Sequence, residues 1–197
     1  MERAPGPEAA RRLRARRTLA LLALICAAPV IASYVAYYWL RPDARTNYGE
    51  LLAPESAPEV VGTGVDGAPF RLSGLQGRWV LLVTAGASCD AACERKLYAT
   101  RQARTIQNRE QERIVRILLQ PKDAAPPAAE LLAAHPGMVF VRGDPKQWDA
   151  LEDPARPDAY VYLVDPHGNL VLRYPADPDI RGLAKDLERL LRASRIG

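Results

Sequence analysis

The sequence predicts an α/β domain, a mixed sheet with helices on both faces, carried behind one N-terminal transmembrane helix. Three observations predict it. A 23-residue stretch from Thr18 to Leu40 carries no charge, short apolar runs alternate with helical patterns after it, and the chain ends on an amphipathic helix.

The stretch TLALLALICAAPVIASYVAYYWL is long enough, at about 1.5 Å per residue, to cross the roughly 30 Å hydrocarbon core of a bilayer. Tyr34, Tyr37, Tyr38 and Trp39 gather at its far end, where amphipathic rings favour the headgroup level. Residues 1–17 hold six arginines against two glutamates, a net charge of +4 that equals the charge of the whole chain. The positive-inside rule keeps that tail cytoplasmic and places the rest on the opposite side. A cleaved signal peptide would have a shorter apolar core and small residues at a cut site, so the span is expected to remain as an anchor. Leu24 and Ile25 before Cys26 do not suit a lipoprotein cleavage site, which leaves Cys26 as a small apolar side chain facing lipid. Everything from Arg41 onward sums to zero charge. A nucleic-acid binder needs its positive excess on the folded domain, so nucleic acid is set aside as a partner.

Residues 41–58, with three prolines and no sustained periodicity, read as a tether. Residues 59–197 are a normal length for one domain with one core. Val60, Val61, Phe70 and Leu72 flank a turn-like Gly62 to Gly67 and predict a hairpin. The run Arg78 to Gly86 predicts a strand buried on both faces, and Asp90 to Gln111, free of Gly and Pro, predicts a helix. A strand over Arg113 to Leu119, a short helix over Ala128 to Ala134 and a strand over Met138 to Val141 follow. Ala159 to Asp165 and Leu170 to Tyr174 form a closing hairpin about Pro166-His167-Gly168. In the last helix, Asp177 is the expected cap and Pro178 the first residue. Ile180, Leu183, Ala184, Leu187, Leu190 and Leu191 fall on one face. This order of elements is that of a thioredoxin-like fold.

Chemistry converges on Cys89 and Cys93, the only cysteines outside the span, where the buried strand gives way to the long helix. Residues four apart at a helix start lie about one turn apart, close enough to close a disulfide or share a soft metal ion. The helix N-terminus favours a thiolate, whereas Asp90 and Glu94 oppose one. A purely structural bridge closing so short a loop would remove little unfolded-chain entropy, so a functional pair is the stronger reading.

At these residues the chain resembles the Sco (SenC/PrrC) family, thioredoxin-like proteins of copper delivery and thiol redox in the assembly of the Cu(A) centre of cytochrome c oxidase. LQPKDAAP (Leu119 to Pro126) resembles the family's loop after a strand, keeping Pro121 and Pro126. AYVYLVDPHGNLV (Ala159 to Val171) resembles its closing hairpin at Tyr162, Leu163, Pro166 and Gly168. The resemblance implies Cys89 and Cys93 as catalytic and metal-binding residues, with Cu(I) as the cofactor. The implied partner is a respiratory oxidase subunit or another copper or thiol protein, and the implied location is a bacterial inner membrane with the domain periplasmic. Two departures stand out. Asp90 and Glu94 occupy positions where the family carries prolines, and the region of its third ligand, a histidine, holds Arg156, Pro157 and Asp158. His135 and His167 lie in turn contexts and are expected at the surface. Soft sulfur suits Cu(I) at low coordination, so chemistry needing only two sulfurs is favoured. Three readings follow: a thiol–disulfide oxidoreductase in which Cys89 attacks and Cys93 resolves, a Cu(I) chaperone, and a membrane-tethered assembly platform that has lost copper binding.

Overall fold

The computed structural model describes residues 7–39, 47–151 and 159–194. The chain divides into two units, Met1–Arg45 and Thr46–Gly197.

The first unit is a single helix, α1 (Pro7–Trp39), of 33 residues. It is longer than the expected span because the Ala, Arg and Leu residues of the basic tail are strong helix formers and continue it backwards. Arg14–Tyr38 is long and apolar enough to cross a membrane, and none of its apolar window is buried against protein. Near its end Tyr34 stacks on Tyr38 with ring centroids 6.2 Å apart, and Tyr37 meets Tyr38 edge-on at 5.0 Å.

The second unit is an eight-stranded mixed sheet. Its strands are β1 (Glu50–Ser56), β2 (Val61–Gly64), β3 (Pro69–Arg71), β4 (Trp79–Thr84), β5 (Ile114–Pro121), β6 (Met138–Gly143), β7 (Tyr160–Val164) and β8 (Asn169–Pro175). They lie side by side as β1-β8-β7-β4-β5-β6-β2-β3. The centre, β4 to β6, is parallel, and antiparallel strands extend it on both sides. Helices α2 (Ala91–Ile106) and α3 (Ala129–Ala134) are the crossovers between the parallel strands, and α4 (Ile180–Ala193) closes the chain.

Alternation along the central strands divides the core in two. Trp79, Leu81 and Val83 join Leu97 of α2, Leu131 and Leu132 of α3 and Leu183 and Leu187 of α4. Val80 and Leu82 point the other way, toward Leu72 and Leu151 on short 3₁₀ turns and Trp148 between two such turns. The α-helices thus cover one face, and 3₁₀ turns with their flanking loops cover the other.

Two expectations need correction. Residues 50–56 of the expected tether are the edge strand β1, paired with β8 and joined to it by a two-pronged contact from Arg173 to Glu50 at 2.7 and 3.1 Å. Pro54 hid this strand in the sequence, yet an edge strand has a free side on which the missing N–H costs nothing. The cap of α4 is Asp179, which accepts from the Gly182 N–H at 2.6 Å, while Asp177 and Pro178 precede the helix.

The entry to the sheet is held by α4. Buried Asp186 accepts the backbone N–H groups of Tyr48 and Gly49 at 3.1 and 2.8 Å, and the Tyr48 ring lies where a side chain on Gly182 would sit, 2.5 Å from its Cβ position. Asp186→Ala strands two donors, so we expect it to lower unfolding free energy by about 3 kcal/mol in urea titrations followed by tryptophan fluorescence. An unchanged midpoint would show that this latch does not support the fold.

Candidate functional site

Strand β4 is buried along its whole length and delivers the chain to the C-terminal end of the parallel strands, where the Ala85 N–H still bonds Leu119 O at 2.9 Å. Exposed residues 86–88 follow, and then half-buried Cys89. Asp90 caps α2 in an extended conformation, and its Oδ1 accepts the Cys93 N–H at 2.9 Å. Cys89 therefore lies just outside the helix, which begins two residues after it, and Cys93 is the third residue of its first turn. The two are joined by a disulfide, with Cα atoms 5.2 Å apart. Cys93 is buried among the core residues beneath α2, and Cys89 packs against the same cluster from outside. A nucleophile arriving from solvent meets the Cys89 sulfur first.

The electrostatics of the pair come from both sides. The Cys93 N–H, helped by the Ala92 N–H and by Lys96 and Arg95, holds the Asp90 carboxyl below its ordinary range, so this position is anionic at neutral pH. A negative charge on the residue next to Cys89 disfavours its thiolate. Lys96, the third residue after Cys93 and hence on the same helix face, is buried, and its Nζ donates to Thr84 O at 3.1 Å. Sequence reasoning missed Lys96. Its signal was position alone, inside the stripe formed by Cys93, Leu97 and Thr100.

The histidines part company. His167 is exposed in the closing turn, where its backbone N–H bonds Asp165 Oδ1 at 2.9 Å. His135, expected at the surface, is buried at the end of α3 because the chain folds back there beside Arg116, and its Nδ1 has no hydrogen-bond partner. Burial first, then the charges of Arg116 and Arg101, push its pKa down. Among the described residues no three or more His, Cys, Asp or Glu side chains cluster as a metal site, so neither histidine joins the cysteines in one. Arg156, Pro157 and Asp158 lie outside the described residues. The donor set is thus two sulfurs, which fits Cu(I) once the disulfide is reduced and does not supply the imidazole that Cu(II) favours.

Residues 79–194, more than half of the chain, match the family described as "Transmembrane-like, thioredoxin-like, C-terminal domain". The chain belongs to this family. Its structure is similar to apo Sco1 of Thermus thermophilus, with 25% identity and a TM-score of 0.60 over 75% of this chain and 99% of that one. Copper-bound yeast Sco1 is similar at 15% identity and a TM-score of 0.60, covering 73% and 96%. So is BsSco, described as having a disulfide switch and as a member of the Sco family of cytochrome c oxidase assembly proteins, at 15% identity and a TM-score of 0.57, covering 74% and 98%. No curated protein matches. The resemblance carried by the cysteine spacing, the loop after β5 and the closing hairpin is therefore met in the fold, which is thioredoxin-like and shared with the Sco proteins.

A folded-state pKa below the ordinary 6.5 means that the unfolded chain takes up a proton which folded His135 refuses. Stability should decline as pH falls below about 6.5 toward the lower folded value. Urea midpoints at pH 7.5 and 5.5 should show a loss that His135→Gln flattens and His167→Gln leaves in place. The opposite pattern would place the relevant titration elsewhere.

Proposed function

We propose that this chain is a membrane-anchored thiol–disulfide exchange protein serving the assembly of a respiratory oxidase, with Cys89 and Cys93 as the reacting pair. The observation that carries the reading is the disulfide between an accessible and a buried cysteine at the end of a central strand, at the mouth of a helix. In the reduced form the Cys89 thiolate attacks a partner's disulfide and one partner sulfur leaves as a thiol. Cys93 then displaces the second, so two electrons pass to the partner and the Cys89–Cys93 bond closes. The described structure is the oxidised end of that cycle. A dithiol reductant must reopen it. The implied partner is an oxidase subunit or another copper or thiol protein.

The anchor is α1, with residues 18–40 as its span, residues 1–17 as a cytoplasmic tail and the domain in the periplasm of a bacterial inner membrane. The concentration of positive charge before the span supports this orientation. Tail, span, tether and thioredoxin-like domain form the working order of the chain, with the tether shortened to the residues before β1. A mature N-terminus found after residue 40 would overturn the topology.

Cu(I) handling is the second reading, with copper as cargo. It is favoured by the copper-bound neighbour and by the soft donor pair. Reduced full-length chain in detergent should take up one Cu(I) against a competing chelator, and Cys89→Ser/Cys93→Ser should not. Equal uptake by the two ends this reading. If the double variant still supports oxidase assembly in cells, the chain is a platform instead.

The exchange reading makes two demands. Cys93→Ser should accumulate a mixed disulfide through Cys89, and Cys89→Ser should accumulate none. Asp90→Asn keeps a competent cap while removing the charge, so the Cys89 thiol pKa should fall and the reduction potential should move to less negative values. A potential that stays fixed or moves the other way would sink the role given to Asp90.

A further inference from the structure

The helix-side face of the sheet carries a cation in its core. Arg116 shares that face of β5 with Ile114 and Leu118 and is only 2% exposed. Its Nη2 donates to Pro136 O at 2.9 Å, and its Nε and Nη1 have no partner. Burial first, then the charges of Arg104 and Arg101, bring its pKa down to about 10. Beside it stands His135, also buried, with an unpartnered Nδ1. Buried charge is ordinarily paired, because desolvating an ion without a counter-charge is costly. Here the neighbours are further cations.

This cluster backs onto a cleft of about 790 Å³ between α2, α3 and the start of α4. Arg101 and His135 line it at one end, and Arg101 also donates to Ala134 O and lies over the Tyr98 ring, 5.4 Å from its centroid. Tyr98, Leu131, Pro178 and Ile180 give it an apolar wall. Its acids are segregated. Both helices are crossovers between parallel strands, so they run in the same direction, and Glu94 and Glu130 sit in their first turns, whereas Arg101 and His135 lie further along. Asp177, the third acid, is 3.9 Å from Arg95.

We propose that this cleft binds a carboxylate with a small apolar body, the head at Arg101 and His135 in the field of Arg116 and the body along Leu131, Pro178 and Ile180. A planar carboxylate matches the fork of a guanidinium, and a counter-charge here would offset the buried cation. The polarity of the cleft favours this orientation, because at the other end Arg95 already faces Asp177 and the head would meet Glu94 and Glu130. The ligand is a free organic acid or the C-terminal residue of a peptide, which share this chemistry. Neither Cys89 nor Cys93 lines the cleft, so the ligand binds without using the pair.

The chain has two histidines, so full-length protein labelled at histidine ¹³Cε1 in detergent gives two signals, with His167 as the internal reference. Titration with 4-methylpentanoate and with N-acetyl-leucine should shift the His135 signal saturably and leave His167 in place, and the tighter probe identifies the source. N-acetyl-leucinamide should bind at least about 10-fold more weakly, since it lacks the charge. Arg116→Met should weaken binding by a similar factor, and Arg101→Gln, at a partly exposed position, serves if the buried substitution prevents folding. The amide binding as well as the acid, a His135 signal that does not saturate, or Arg101→Gln leaving the affinity unchanged would each overturn the proposal.

Discussion

Trp79 to Thr84 have no route to solvent. Strand β4 has β5 along one edge and β7 along the other, its odd-numbered residues sink into the helix-side core and its even-numbered ones into the opposite core. Nothing about this strand can slip by one residue without exchanging its two sets of side chains between differently shaped cores. Its last residue is therefore fixed in space, and with it the loop that presents Cys89. The cysteine pair owes its place to the packing of this strand, whose helix-side residues share a core with Cys93.

Around the pair, two opposite charges act under different conditions. Asp90 stands in solvent at the tip of α2, where water and salt screen it. Lys96 is enclosed beneath the same helix, where the effective dielectric is lower and a charge is felt more strongly at equal distance. The helix start is thus held by an exposed anion that disfavours a thiolate, above a buried lysine tied to the end of β4 through Thr84 O. The two cysteines themselves differ in depth, Cys93 buried and Cys89 half-buried.

Apart from β1, the order of elements along the chain was legible in the sequence because the strands are short apolar runs bounded by turn residues, and the Cys89 and Cys93 pair was legible because it falls at the one strand-to-helix junction bearing thiols. What escaped notice had physical reasons. Glu50 to Ser56 carries a proline and polar ends, and only its pairing with β8 makes it a strand. Asp177 and Asp179 are equally good caps by type, and tertiary contact decided for Asp179, whose own N–H is held by the Tyr48 hydroxyl at 2.8 Å. Lys96, Arg116 and His135 look like surface residues by type. The burial of Arg116 follows from strand alternation and that of Lys96 from helix periodicity, whereas that of His135 comes from the chain folding back after α3.

The position of β1 bears on where the domain can be cut. A boundary at residue 59, which composition suggests, removes the partner of β8 and leaves Asn169 to Arg173 with a row of free backbone donors and acceptors. Leu170 and Leu172 on that strand are buried in the intact sheet. An open edge of this kind is a template for another chain, and a domain trimmed there would offer each molecule a strand-sized docking face for its neighbour.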